Sequence, residues 1–262
     1  MNFVAKSANN KTLEKVNPPQ TLDRSGFFRR LSFKLAEEQK VFRDAIYNPQ
    51  NKIIFCNAKS GSGKTTIAIA TACAMIEYQL YDKLIYTFAP IGYENVGLLP
   101  GTLEDKTEPF YEPLSEALIE CGYFPNKVIN QLCDNAKSDE AFVDCKPHTF
   151  LRGTNFDNAI IIIDEAQNFY LDELKKVLTR VKDNCKVVVI GHDQQCDIFH
   201  HKERSGFIPY LNWFKNEPYC QVCELDHNYR GIVSAKADEL PNLIDVQQIV
   251  LMPNTETCGG NI

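Results

Sequence analysis

Residues 57–66 read Asn57-Ala58-Lys59-Ser60-Gly61-Ser62-Gly63-Lys64-Thr65-Thr66, between the apolar run Ile53-Ile54-Phe55-Cys56 and the helix-like run Ile67-Ala68-Ile69-Ala70-Thr71-Ala72. A strand, a glycine-rich turn ending in Gly63-Lys64-Thr65 and a helix form a loop that wraps an anion. Glycines let backbone N–H groups curl around phosphate without a Cβ in the way. The helix N-terminus adds partial positive charge at the same point. Lys64 is placed to reach the β- and γ-phosphates, and the Thr65 hydroxyl to hold Mg²⁺. The pattern G-x-x-x-x-G-K-[ST] has one departure here, Ala58 at its first position, which is small enough to keep the loop plausible. The cradle for a nucleoside triphosphate is thus Ala58, Lys59, Ser60, Gly61, Ser62, Gly63, Lys64, Thr65 and Thr66.

Metal and water need acidic partners. The run Ala159-Ile160-Ile161-Ile162-Ile163 is continuous, apolar and β-branched, the signature of a strand buried on both faces of a parallel sheet. It ends in Asp164-Glu165-Ala166-Gln167. An acid at the C-terminal end of a central strand lies beside the phosphate loop in such an architecture. Asp164 is read as the Mg²⁺ residue and Glu165 as the group that polarises water. Taken alone, Asp-Glu after a strand is equally a solvated loop or a helix cap. A third strand-like run, Lys186 to Ile190, leads into Gly191-His192-Asp193-Gln194-Gln195. A polar residue there is placed to sense the γ-phosphate, although a plain turn has the same spacing.

These runs alternate in the β-α-β manner, so the chain reads as α/β with a mainly parallel sheet flanked by helices. Residues 1–34 read as a flexible basic arm: Lys6, Lys11, Lys15, Arg24, Arg29, Arg30 and Lys34 face Glu14 and Asp23, while the whole chain carries −6. Such an arm binds phosphate backbones or is simply a solvated leader. Residues 35–250 read as a single domain with an irregular insertion at about 91–150, and 251–262 as a loose tail. Helices are expected from Ala36 to about Tyr47, from the phosphate loop to about Leu80, near 111–121 and 125–133, over 171–182 and from about 232 to 240. Further strands are expected over Lys83–Ala89 and 219–225. Leu171, Leu174, Val177, Leu178 and Val181 fall on one helical face and read as core.

No apolar run reaches membrane-spanning length, and the N-terminus lacks an apolar signal core, so the site is expected in the cytoplasm, away from any membrane. The ten cysteines are scattered and read as reduced thiols. Cys220-x-x-Cys223 invites a zinc reading, but residues three apart on a strand point to opposite faces.

The segments Gly97-Leu98-Leu99-Pro100-Gly101-Thr102-Leu103-Glu104-Asp105-Lys106, Leu151-Arg152-Gly153-Thr154, Ile163-Asp164-Glu165-Ala166-Gln167-Asn168 and Leu178-Thr179-Arg180 resemble the PhoH family of P-loop ATPases, phosphate-starvation-inducible-type proteins of bacteria and phages. The resemblance covers roughly residues 35–240. It implies a RecA-like P-loop NTPase core similar to the first motor domain of superfamily 1 helicases, with Gln39 reading adenine, Gln195 sensing the γ-phosphate and Arg230 contacting phosphate or acting as an arginine finger. This chain has His192 where the family has Asp and Thr154 where it has a second arginine. One lobe alone implies that a second is supplied by another subunit, in a homo-oligomeric ring, commonly a hexamer, with Arg230 or Arg180 of one subunit against the next subunit's nucleotide.

The expectation is therefore a Mg²⁺-dependent ATPase coupled to RNA or single-stranded nucleic acid. Phe27, Phe28, Phe33 and Tyr93 are candidate stacking residues, or core aromatics. The alternatives are a nucleotide-gated binding or assembly module without motor activity, and a small-molecule kinase. The kinase reading lacks clustered arginines after the Asp164 strand.

Overall fold

The computed structural model describes residues 18–22, 28, 34–90, 111–132, 141–151, 153, 155–193, 195–196 and 204–238. Within them six strands form one sheet: β1 (Ile53–Ala58), β2 (Lys83–Phe88), β3 (Val143–Pro147), β4 (Ala159–Asp164), β5 (Lys186–Gly191) and β6 (Cys220–Leu225), in the order β3-β2-β4-β5-β1-β6. Every pairing is parallel. The strand of the phosphate loop and the strand of the acidic pair are therefore not neighbours, because β5 runs between them.

The sequence period explains the layers. Ile54, Cys56, Ile160, Ile162, Val188 and Ile190 point to one face, and Ile53, Phe55, Ile161, Ile163, Val187 and Val189 to the other. Both faces are covered, so β4 and β5 are buried at every position, as a continuous apolar run demands. On the first face lie α1 (Glu37–Tyr47), α2 (Lys64–Glu77) and α3 (Glu112–Glu120), with the short α4 (Pro125–Val128) beyond. On the second lie α5 (Leu171–Leu178) and α6 (Phe207–Phe214), while α7 (Ile232–Asp238) follows β6. Helix α2 is buried from Ile67 through Met75, so it carries no polar stripe. No helix among the described residues is long and apolar enough to cross a membrane.

Several expectations need correcting. The stretch read as an irregular insertion holds an edge strand, Val143–Pro147, whose inward Val143 and Cys145 alternate with Asp144 and Lys146. Five half-polar residues ending in proline read as a loop, yet an edge position tolerates both. Helix α6 was missed because Phe-Ile-Pro-Tyr-Leu-Asn-Trp-Phe has no polar stripe and holds Pro209. In the first turn that proline removes only an N–H without a helical partner. The helix expected over 125–133 stops at Val128, because Ile129 bridges to Val143 and Asn130 N–H donates to Val143 O at 2.9 Å. The helix expected over 171–182 stops at Leu178, and Val181 instead bridges to Phe156. Leu174 and Val177 are buried as expected, but Leu171, read as core, is 49% exposed at the first helical position.

The arm read as flexible over 1–34 is attached where it is described. Leu22 is fully buried in the α1–α3 face, Tyr47 Oη–H donates to Pro19 O at 2.5 Å, and the Phe28 ring lies 5.4 Å from the Arg43 guanidinium carbon. Phe28 thus packs on the core; Phe27, Phe33, Tyr93, Arg152, Thr154 and the tail lie outside the described residues. Cys220 packs on the α5–α6 face and Cys223 on the other, so the two thiols straddle β6.

One buried cation ties the sheet to α1. Lys186 is fully buried at the start of β5, and its Nζ donates to Ile46 O at 2.7 Å and Asn48 O at 2.6 Å. Both lie at the C-terminal end of α1, where a helix runs out of its own donors; Asn48 O also accepts from Asn51 N–H at 3.2 Å. Burial, aided by Lys52, pushes the ammonium down to about 7. The folded chain then binds fewer protons than the unfolded one, whose lysine titrates near ~10.4, so the stability from this group rises as pH climbs through that interval. Lys186→Met should cost about 1–3 kcal/mol at pH 8 by removing the donor to Ile46 O, while Asn48 O keeps Asn51 N–H at 3.2 Å. Urea melts at several pH values should show the gap to wild type widening as pH rises above 7. A gap independent of pH would show that the amine stays charged.

Candidate nucleotide site

The loop after β1 is built as its residues dictate. Ala58 is the last residue of β1, in register with Leu225 and lacking a positive φ, so this position does not call for glycine. Lys59 N–H then donates to Leu225 O at 2.9 Å. Gly61 and Gly63 take φ of +69° and +80°, which L side chains rarely adopt. A Cβ on Gly61 would also lie 2.5 Å from Asn228 Oδ1 and 2.8 Å from Arg230 Cγ. The Ser62 hydroxyl is buried with no partner among the described residues. Helix α2 begins at Lys64, with its N-terminus at the loop.

The acidic pair arrives on β4, two strands away. Asp164 is 2% exposed, and its Oδ2 accepts from Thr65 Oγ1–H at 2.8 Å and from Tyr86 Oη–H at 2.7 Å. Its Oδ1 accepts from Glu165 N–H at 2.9 Å. Burial and the adjacent Glu165 charge push the Asp164 carboxyl above its usual range, while Lys64 and the two hydroxyls pull the other way. Glu165 sits at φ 49°, ψ 45°, a left-handed position that costs a non-glycine residue about 1–2 kcal/mol. That backbone turns its side chain to the loop: Glu165 Oε1 lies 3.4 Å from Lys64 Nζ, and Oε2 accepts from Gln167 Nε2–H at 2.6 Å.

These groups line one open cleft of about 790 Å³. Of the residues expected from sequence, Ser60, Gly61, Gly63, Lys64, Thr65, Thr66, Asp164, Glu165, Gln195 and Arg230 face it; Ala58, Lys59, Ser62 and Gln39 do not. Gln39 instead supports the loop from behind, its Nε2–H donating to Ser62 O at 2.8 Å and its Oε1 accepting from Ala36 N–H at 3.0 Å. Reading a base would use the remaining N–H and lone pair of that amide.

Arg230 belongs to its own loop, with Nη1–H donating to Ser60 Oγ at 3.0 Å and Tyr229 N–H to Gly61 O at 2.9 Å. Glu38 braces that turn by accepting from Asp226 N–H at 3.1 Å and Tyr229 Oη–H at 3.3 Å. Arg180 is tied to carbonyls of its own chain, Lys176 O and Leu151 O, both at 2.7 Å.

Sequence reasoning passed over Tyr86 and Phe88, at the C-terminal end of β2, and Glu116 and Glu120, one turn apart on α3; all four line the cleft. The rule that ligands gather at the carboxyl ends of parallel strands points to the first two. Nothing in the sequence shows that α3 packs alongside α2.

A family model described as "PhoH-like protein" matches residues 34–237. Protein PhoH of Escherichia coli (strain K12) is 32% identical over 163 residues, which cover 62% of this chain and 44% of that one. A PhoH-like protein of Synechocystis sp. is 33% identical over 171 residues, covering 64% and 50%. The chain thus spans about half the length of the curated relatives it matches. Among solved structures it is similar to the crystal structure of Bacteroides sp Pif1 in complex with ADP-AlF4, at 17% identity and a TM-score of 0.36, covering 76% of this chain and 44% of that one.

Proposed function

The chain belongs to the PhoH-like family, with a RecA-like P-loop core, and on that premise we propose that it hydrolyses ATP to ADP and phosphate with Mg²⁺, coupled to binding or remodelling RNA or single-stranded nucleic acid. The observation that carries this reading is the meeting of Thr65 with Asp164 and of Lys64 with Glu165 at one cleft. The residues fit the ligand: the glycine cradle, the Lys64 ammonium and the α2 N-terminus suit phosphate, and the Thr65–Asp164 oxygen pair suits a hard divalent cation. Thr65 and Asp164 would hold Mg²⁺, which when bound neutralises charge on the phosphate oxygens. Lys64 holds the β- and γ-phosphates. Glu165 accepts a proton as water attacks the terminal phosphorus and ADP leaves. Arg230 stands at the same loop to steady developing charge, and Gln195 faces the cleft as the sensor.

Arg230 donates to Ser60 Oγ of the same loop, which supports a role for it beside the nucleotide of its own subunit. The homo-oligomeric ring, a hexamer, rests on the family resemblance. A second reading, a nucleotide-gated binding module, is favoured by one observation: Lys64 lies 3.4 Å from Glu165, and binding of phosphate would exchange that partner and release the turn that carries it.

Phosphate release from ATP and Mg²⁺, with and without single-stranded RNA and across ionic strength, separates the two. Turnover stimulated by RNA, with RNA binding that weakens steeply as salt rises, is the expected result. ATP binding with no release under any condition would leave the gated module.

A further inference from the structure

We propose that Gln167 is a positioning residue: its amide bridges the Glu165 carboxylate to the end of β5, fixing the general base relative to the segment that carries Gln195. This rests on the hydrolysis reading above.

The β4–β5 ladder ends at Ile163↔Val189. Beyond that pair, Gln167 links the turn after β4 to the residue after β5. Its Nε2–H donates to Glu165 Oε2 at 2.6 Å, and its Oε1 accepts from His192 N–H at 3.0 Å. Its own carbonyl accepts from Cys196 Sγ–H at 3.2 Å. The same β5 extension closes on itself through Gln195 N–H to His192 O at 3.3 Å, and Gln195 lines the same cleft as Glu165.

Gln167 is 2% exposed, so solvent does not compete for its amide. The chemistry at its two ends is different, and that fixes the residue type. A carboxylate only accepts, and a backbone N–H only donates. The bridging group must therefore donate at one end and accept at the other, with the reach of two methylenes. Glutamine does this; glutamate loses the donor, and methionine loses both. The short one-turn helix Ala166–Asn168 that carries it follows the left-handed Glu165, so the side chain that holds the carboxylate comes from the same strained turn. The backbone of Glu165 is fixed by Asp164 Oδ1 and Asn168 N–H, both at 2.9 Å, while the orientation of its carboxylate depends on side-chain partners. A displacement at His192, where the γ-phosphate-sensing segment leaves the sheet, is passed to Glu165 through one rigid planar group.

The test is a double-mutant cycle on the full chain. Gln167→Met should lower kcat about 10- to 100-fold, as misplacement of a catalytic group does, while the ATP dissociation constant stays within about threefold of wild type. In a Glu165→Gln background the same substitution should cause almost no further loss, because it acts through the group already removed. Gln167→Glu keeps the acceptor for His192 N–H but sets two carboxylates together, and should lose as much as Gln167→Met. Thermal melts accompany each variant. Equal losses in both backgrounds would overturn the inference, since they would mark a merely structural role. A near wild-type rate for either single variant would overturn it too. No turnover in the wild type would instead sink the hydrolysis reading, and this inference with it.

Discussion

Glu165→Gln is expected to lower kcat for ATP hydrolysis by about 10²–10⁴-fold, the usual contribution of a positioned general base. Nucleotide binding should survive. The substituted amide keeps the shape of the side chain, and removing its negative charge frees Lys64 from the 3.4 Å contact that now holds it. It also removes one of the two causes that push Asp164 upward, which favours the ionised carboxylate at the metal position. Dissociation constants for ATP should therefore stay level or tighten while turnover collapses. Single-turnover phosphate release measured beside equilibrium binding checks this. Loss of binding in parallel with rate would mean that Glu165 organises the loop rather than the water.

Lys64→Met should act on the other side of the split. Lys64 is the first residue of α2, almost buried, with its ammonium at the cleft. Methionine preserves the length and packing of the stem, so the fold should hold. What is lost is a charge-assisted contact to phosphate of about 1.5–3 kcal/mol, or roughly 10- to 100-fold in ATP affinity. The loss reaches further, because Lys64 is the cation that opposes the upward push on Asp164. Without it that carboxyl takes up a proton at higher pH, so the weakening of Mg²⁺-dependent binding should deepen as pH falls. Fluorescent nucleotide titrations over pH test both parts. An affinity equal to wild type would remove Lys64 from the phosphate site.

The core of this arrangement was legible because it depends on local pattern. Ile160–Ile163 is too apolar to be anything but a doubly covered strand, and the glycines of the loop prescribe a turn with positive φ that the backbone takes. That Lys64, Thr65, Asp164 and Glu165 meet at one cleft was readable from the same windows. What was hidden depends on distant packing. Tyr86 is an ordinary strand aromatic until β2 pairs with β4 in the register Phe88↔Asp164 and brings its phenol to the carboxylate. That the Arg230 turn folds over Gly61 was hidden too, because it depends on packing between segments far apart in the chain. Helix α6 and strand β3 escaped because proline and mixed polarity mask regular structure that tertiary contacts impose.

The placement of β5 between β4 and β1 has a consequence for how the protein comes to exist. Ile53, on the strand that carries the phosphate loop, pairs only with Val187 and Cys220, both far along the chain. As the polypeptide leaves the ribosome, β2, β3 and β4 can associate while β1 remains a bare apolar edge. Closing it requires large loops, a step that is slow and leaves hydrophobic strand surface uncovered. The anion cradle is thus synthesised ahead of five of the six described strands and is among the last parts to be formed.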